Sequence, residues 1–333
     1  MSEPSPLIAA QRKFVDALPL RGLAAETCPL EQGLARVLAE DIGAPTDMPP
    51  YPRVIVEGFL IHTEDSQGAS ESKPVTFKVA GSVMPGDRQS PSFGRGQALR
   101  VATGSIAPEG AYSVVRMFEA QQKGEEFSIA RPFQPRFFIE EQGCDIKKGA
   151  VAVPVGTRLE PSHIGAIASL GIARIRVSTR PEAVIFASGN EVVPYDQTPA
   201  PGQIRDSNSV MLAAAVSAAG GVPTNAGIMR DNFDSFVAAV RSALDHSDMV
   251  VISGGTAVGG RDFISDLVKA VGELIIDGVP MRSGRPLIMG RAKNKPLVCV
   301  AGHPPEALRG FRLFGVAAID RLQGRSAELP ADP

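Results

Sequence analysis

No stretch of the 333-residue chain approaches the ~18 uninterrupted apolar residues of a membrane span. Its first residues, MSEPSPLIAAQRKF, lack the basic start and apolar core of a secretory signal. The sequence therefore predicts neither a membrane partner nor export. Cysteine is scarce: Cys28, Cys144 and Cys299 are far apart, odd in number and without C-x-x-C spacing. That argues against a disulfide framework or structural zinc and suits a reducing, cytoplasmic setting. Charge of one sign is not in excess either. Lys and Arg total 34 against 36 Asp and Glu, a formal net charge of -2, so no nucleic-acid partner is expected. Familiar catalytic signatures are missing as well. There is no G-x-x-x-x-G-K-[ST], no G-x-G-x-x-G and no legible Ser-His-Asp or Cys-His arrangement, and His62, His163 and His246 have no partner at metal-ligand spacing.

What the chain does have is glycine and proline, 34 and 28 residues, which implies many turns and close backbone approaches. Its 44% apolar content is enough for sizeable cores, and its length predicts two or three domains. The run 5–42 reads as helical, with Leu34, Val37 and Leu38 at 3–4 spacing. APTDMPPYPR (44–53) follows as a stiff extended boundary. From 54 to 138 the runs VIVEGFLI, PVTFKVAG, ALRVATG and YSVVRMFEA read as strands, with polar tips at 63–73 and 120–126. EPSHIGAIASLG (160–171) returns to a helical pattern opened by Pro161 and closed by Gly171. In the last 150 residues apolar runs such as EAVIFASG, DMVVISGG and PLVCVAG alternate with helical patterns over 206–221, 233–246, 263–271 and 304–322. Such alternation predicts an open α/β sheet with helices on both faces. The expected organisation is a helical linker domain (1–45 and 139–178), an inserted β-rich domain (46–138), an α/β domain (179–326) and a tail (327–333).

Open α/β sheets bind ligands in the loops after their strands. Three such loops contain glycine: SGNE (188–191), SGGTAVGGRD (253–262) and AGHPPEA (301–307). Glycine lets backbone N–H groups approach a ligand. Glu191, Asp206, Asp231 and Asp262 stand at the same strand ends, where carboxylates repel unless a cation intervenes. A few carboxylates with substrate phosphates are the usual way to hold Mg²⁺. For Asp206 and Asp231 a helix N-cap role is the competing reading, since both precede helical stretches. Between Met281 and Arg312 stand Arg282, Arg285, Arg291, Lys293, Lys295, Arg309 and Arg312 against the single acid Glu306. Arg282 and Arg285, beside a glycine in MRSGRP, suit a phosphate or oxyanion. His303 lies in the third loop, and Cys299 falls inside an apolar strand.

Read in order, these segments resemble the MoeA family of molybdopterin molybdenumtransferases, which includes the gephyrin E domain. The resemblance runs from GLARVLAEDIGAPTDMPP (33–50) to the helix ending near Leu322. It passes through RVATGSIAPEGAYSVV (100–115), IASLGIARIRV (167–177), IFASGNEVV (185–193), GQIRDSNSVMLAA (202–214), AGIMRDN (226–232), SGGTAVGGRDF (253–263), GVPMRSGRPLIMGR (278–291) and AGHPPEAL (301–308). It implies a C-terminal three-layer α/β/α molybdopterin-binding domain of the MoaB/MogA type, a helical linker domain and an inserted all-β domain. The activity it implies takes adenylylated molybdopterin and molybdate, cleaves the pyrophosphate link with Mg²⁺, releases AMP and inserts the metal at the dithiolene. Partners implied are a second copy in a homodimer, a molybdopterin-adenylating protein and molybdoenzyme apoproteins. Glu191, Asp231 and Asp262 match acidic, metal-holding positions. Thr103, Asp145, Ser207, Asn208, Ser253, Gly254, Gly255, Gly259, Arg282, Arg285 and His303 match ligand-binding positions.

The chain also departs from the family pattern. After the proline-rich boundary, where an N-S-x-M-D-G-Y-like stretch is usual, it reads Arg53-Val54-Ile55-Val56-Glu57-Gly58-Phe59, so Glu57 stands in place of the catalytic Asp. Tyr112 replaces an Asp and His303 an Asn, and the chain stops after the α/β domain, where most members carry another small β-domain. A non-catalytic molybdopterin carrier, chaperone or assembly scaffold is the alternative these departures raise.

Overall fold

The computed structural model describes residues 5–20, 24–230, 232–254, 263–279 and 286–327, and these pack as two compact units. One takes the described residues of 1–40, 154–164 and 173–333, the other 41–153 and 165–172. The stretches 1–45 and 139–178, read from sequence as one linker domain, are thus divided between the two. Among the described residues, no helix is long and apolar enough to cross a membrane.

The second unit is built on a six-stranded sheet in the order Tyr112–Arg116, Gly58–His62, Gln97–Val101, Val75–Val83, Glu126–Ile129, Gln121–Lys123. Its pairings are antiparallel except that of Val75–Val83 with Gln97–Val101. Alternation along Gly58–His62 sends Phe59 and Ile61 into one core with Phe77 and Phe127, and Leu60 into another with Val83, Leu99 and Val114. The ring of Phe59 stacks on Phe127 at 4.1 Å between centroids. The polar stretch 120–126, expected as a loop tip, has its turn at 124–125 and contributes an edge strand as well. Gln121–Lys123 is solvated on both faces, so its polar side chains cost nothing there.

The first unit carries the α/β sheet. Its strands β1 (Glu182–Ser188), β2 (Val222–Met229), β3 (Met249–Ser253), β4 (Glu273–Asp277), β5 (Ile288–Ala292) and β6 (Lys295–Val300) lie in the order β2-β1-β3-β6-β5-β4. The first four in that order run parallel, and β5 and β4 complete the sheet antiparallel. Ala183, Ile185, Met249, Val251, Val298 and Val300 face one core, and Phe186, Val250, Ile252, Leu297 and Cys299 the other.

The helix expected over 5–42 is realised only as α1 (Pro6–Ala17), with Ser5 accepting from Ile8 N at its start and Leu18 turning extended ahead of Pro19. Leu34 is exposed, while Val37 and Leu38 are buried through β-bridges to Arg158 and Val177. Ala25–Pro29 pairs with Arg174–Ser178. Pro29 and Gly33 interrupt the helical run, and strand-like pairing satisfies the backbone there. As the Pro161 and Gly171 punctuation predicts, α2 spans Pro161–Ser169.

In the first core α1 joins α3 (Asn208–Ala218). In the second lie α4 (Phe233–His246) and α5 (Phe263–Val271). The predicted helix 304–322 is α6 (Pro304–Gly310), a π turn over Phe311–Gly315 and α7 (Val316–Leu322), on the side of the first core. Phe14 meets Phe314 edge-on at 5.9 Å, and Gln11 Nε2 donates to Leu313 O at 3.0 Å. The N-terminal helix is therefore part of the α/β unit.

Candidate functional site

The order β2-β1-β3 means that the chain leaves β1 toward one edge and returns to β3 on the other side. In parallel sheets that reversal opens a crevice beyond the strand ends. Here it is bounded by Ser188-Gly189 at the end of β1, Ser253-Gly254 at the end of β3 and Ala301-Gly302 after β6. Asn208, the first residue of α3, ties two of these ends together: its Nδ2 donates to Ser253 Oγ and to Gly302 O, both at 2.7 Å. Ser253 Oγ in turn donates to Ala301 O at 3.1 Å. Gly254 has φ +95°, and a Cβ there would stand 2.5 Å from Ser188 O, so only glycine lets β1 and β3 end this close together. The sequence-predicted Asn208, Ser253 and Gly254 are thus in one place, and exposed Ser207 and His303 flank them at the starts of α3 and α6.

Glu191 is exposed at the rim, on a turn fixed from both sides. Ile204 N donates to Glu191 O at 2.9 Å, and Val192-Val193 pair in parallel with Ile204-Arg205. On the other side the Arg230 guanidinium donates to Asn190 O at 2.7 Å, with longer approaches to Val192 O and Gly189 O at 3.3 and 3.4 Å. The Glu191 carboxylate folds back over Gly189, where a Cβ would stand 2.7–2.9 Å from its atoms. Asp206, weighed above as a metal-side acid or a cap, accepts from Ser209 N at 3.0 Å and is buried, so it caps α3.

Asp231, Gly255, Gly259, Asp262, Arg282 and Arg285 lie outside the described residues. Among the described residues, no group of three or more His, Cys, Asp or Glu is placed to hold a metal. The acidic constellation read from the sequence is represented here by Glu191 alone. Three described cations of the basic stretch have partners within the fold. Arg291 pairs with Glu273 at 2.5 Å, Lys293 pairs with Asp245, and Lys295 Nζ donates to Leu244 O at 2.6 Å. Each of these cations has a nearby acceptor of its own, so their charge serves the fold.

The remaining predicted positions lie in the β-rich unit. Gly104 N donates to Val54 O at 2.8 Å and Tyr51 Oη to Gly104 O at 3.3 Å, which sets the Thr103-Gly104 turn against the 51–54 segment. Arg53 Nε donates to Glu140 Oε2 at 2.7 Å, and its Nη2 reaches Asp145 Oδ2 at 3.4 Å. The hydrogen bond to Glu140 holds the Arg53 guanidinium above its ordinary pKa. Thr103, Arg53 and Asp145 thereby share one end of that unit, and exposed Glu57 follows in the next turn. Sequence reading missed Arg230 and Ser188. Their signal was adjacency, one preceding Asp231 in IMRDN and the other opening SGNE.

Two family models match the chain: the MoeA N-terminal region (domain I and II) over residues 6–171, and a probable molybdopterin binding domain over 184–321. A molybdopterin molybdenumtransferase of Staphylococcus epidermidis is 30% identical over 302 residues, covering 90% of this chain and 72% of that protein. One from Staphylococcus aureus is 32% identical over 308 residues, covering 91% and 73%. A crystal structure of the molybdopterin biosynthesis MoeA protein from Pyrococcus horikoshii matches with a TM-score of 0.77 at 28% identity, covering 96% of this chain and 79% of that one. A second structure from that organism matches with a TM-score of 0.72 at 33% identity, covering 97% and 81%. The chain belongs to the MoeA family of molybdopterin molybdenumtransferases, enzymes of molybdenum cofactor biosynthesis.

Proposed function

We propose that the chain binds adenylylated molybdopterin and inserts molybdate with Mg²⁺-dependent release of AMP. The observation that carries this reading is the crevice at the turning point of the sheet, where Asn208, Ser253, Gly254 and Gly302 leave polar groups and open backbone beside Glu191. The fit to a hard cation rests on Glu191, an exposed oxygen donor on a turn pinned by Arg230. Asp231 and Asp262 are the further oxygen donors the reading assigns to it. When bound, Mg²⁺ neutralises charge developing on the cleaved phosphoanhydride. The protein's own contribution is to hold Glu191 in place and seat the ligand against the strand ends. Glu57, Thr103 and Asp145 are assigned to the same reaction by the family resemblance.

A homodimer belongs to the same reading. On α3, Val210 is 48% exposed, and Met211, Ala214, Ala215 and Ala218 border, with Leu308, Phe311 and Val316, a groove of about 1100 Å³. A reducing, cytoplasmic setting is supported by three free cysteines, and adenylating and apoenzyme partners follow from the chemistry of substrate and product. The alternative of a non-catalytic carrier draws on Arg53, whose guanidinium occupies Asp145. AMP release from adenylylated molybdopterin, measured with and without Mg²⁺, decides between them. Turnover lost on Glu191→Gln supports the transferase, and tight binding with no AMP under any condition establishes the carrier.

A further inference from the structure

In the sheet of the β-rich unit, Gly58–His62 lies between Gln97–Val101 and Tyr112–Arg116 and runs antiparallel to both. Gly58 stands opposite Val101 on one side and Arg116 on the other. Three short segments therefore leave the sheet at one end, and they carry Glu57, Thr103 and Phe118. The approach is close there. A Cβ on Gly58 would stand 1.9 Å from Val115 O, and Met117 N donates to Glu57 O at 3.3 Å. Glu57 and Thr103 already have a place in the proposed reaction. Phe118 does not, yet at 77% it is the most exposed large apolar side chain among the described residues.

The local fold holds that ring outward. Met117–Glu119 forms one 3₁₀ turn, in which positions three apart share a direction. Met117 and Ala120 take the inward direction and pack against the core of Phe59, Phe77 and Phe127. Phe118 is left facing solvent. Arg116 Cζ lies 4.3 Å from the centre of the Phe118 ring and 5.0 Å from that of Phe138. Glu119 fixes this guanidinium, accepting from its Nε at 2.8 Å. Phe118 is thus backed by a held cation, with the rest of its surface open. Ile55, 38% exposed, continues the apolar surface, its N donating to Phe138 O at 3.1 Å. Arg131 Nε also donates to Glu119, at 3.1 Å. Two guanidiniums share one carboxylate, so one positive charge is left over beside the ring.

An open aromatic face next to a surplus guanidinium suits a ligand that is flat at one end and anionic at the other. The adenylylated substrate of the proposed function has two flat ring systems, a pterin and an adenine. The family model matched over 184–321 is named for the pterin, which leaves the adenine without an assigned partner. We infer that Phe118 stacks on the adenine of the adenylyl group, with Arg116 bracing the ring and the surplus charge of the Arg116–Arg131 pair favouring the nucleotide's phosphate. Stacking reads the face of a base and not its edge, so Phe118 sets how tightly the leaving nucleotide is held rather than which purine it carries. This placement rests on the adenylylated substrate of the proposed function and concerns binding, not cleavage.

The test uses the full chain and AMP, with binding followed by calorimetry. Wild type binds AMP about fivefold or more tightly than ribose 5-phosphate, which has the phosphate and no base. Phe118→Ala weakens AMP binding about 5- to 100-fold, the range of one base stacked on an aromatic ring, and leaves ribose 5-phosphate binding unchanged. Phe118→Trp restores AMP binding to the wild-type level or above. Both variants melt with wild type, because the side chain is solvent-facing. Equal AMP affinity in Phe118→Ala, a matching loss of ribose 5-phosphate, no recovery in Phe118→Trp, or no AMP binding to wild type would overturn the placement. AMP binding that depends on Phe118 in a protein that never releases AMP from adenylylated molybdopterin defeats the catalytic reading alone. Release of AMP by a protein whose AMP affinity ignores residue 118 defeats the placement alone.

Discussion

Gly254 and Gly302 stand side by side at the mouth of the crevice, and adding one methyl group to each should have opposite consequences. At Gly254 the backbone is at φ +95°, which costs an alanine ~1–2 kcal/mol. The new Cβ would also stand 2.5 Å from Ser188 O, about 0.9 Å inside ordinary contact, and the obstacle is backbone rather than a movable side chain. Overpacking of that kind adds ~1–3 kcal/mol. Gly254→Ala should therefore lose about 2–5 kcal/mol, divided between stability and the geometry of the crevice, and pterin affinity should fall by more than tenfold. At Gly302 the nearest atom to an added Cβ is Gly254 Cα at 3.6 Å, an ordinary contact. Gly302→Ala should change stability by less than about 1 kcal/mol. Urea unfolding and pterin titration on both variants provide the comparison. The reasoning fails if Gly254→Ala unfolds and binds like wild type, or if the two variants are equally damaged.

Phe14→Ala should cost about 3–5 kcal/mol in urea unfolding, because the ring is fully buried against Phe314; a loss under 1 kcal/mol would detach α1 from the α/β core. Arg230→Ala should raise the Mg²⁺ concentration needed for half-maximal AMP release several-fold with kcat at saturating Mg²⁺ little changed, because the Glu191 turn loses its clamp. Arg230→Lys should recover part of the effect, and unchanged Mg²⁺ dependence in both would refute the positioning role. Partial burial pushes the Glu119 carboxyl up, but Arg116 at 2.8 Å and Arg131 bring it below its ordinary pKa. A carboxylate so depressed stabilises fully above the unfolded-state value and loses its contribution as pH falls through the lowered one. Wild type should thus exceed Glu119→Gln in stability at neutral pH, and the difference should shrink as pH falls below the ordinary Glu value of about 4.3. A gap that persists in acid would rule out the ion pairs as its source.

The alternating half of the chain was the readable half. Runs such as DMVVISGG and FDSFVAAVRSALDH carry their periodicity undiluted, because each strand is buried on both faces and each helix on one. The edge of the same sheet was not readable. VPTNAGIM forms β2 with most of its side chains half-buried or exposed, so its residues carry no apolar signature. The β4–β5 pair was hidden for another reason, since its strands flank a stretch of sequence whose composition suggested only basic charge. The N-terminal region misled because helical spacing of Leu34, Val37 and Leu38 also arises by chance in a chain that pairs with distant strands, and no local pattern records the partner. At the site, residue types with positional meaning were legible: the serine, asparagine and glycines of the strand-end loops. Arg230 and Ser188 were not, because their roles depend on which carbonyls surround one guanidinium and on one hydroxyl having no hydrogen-bond partner among the described residues.

The seat of α1 has a bearing on the order in which the molecule is made. Its partners Leu313, Phe314 and Arg321 are translated some three hundred residues after Gln11 and Phe14. A nascent chain therefore carries an amphipathic helix whose apolar face has nowhere to dock for most of its synthesis, while the sheet of residues 58–129 can close as soon as it leaves the ribosome. Maturation of the α/β half becomes a single late event that joins segments some three hundred residues apart. A ribosome that stalls short of Leu313 would release a product with one half finished and the other exposing the greasy side of its first helix, a natural target for chaperones and proteases.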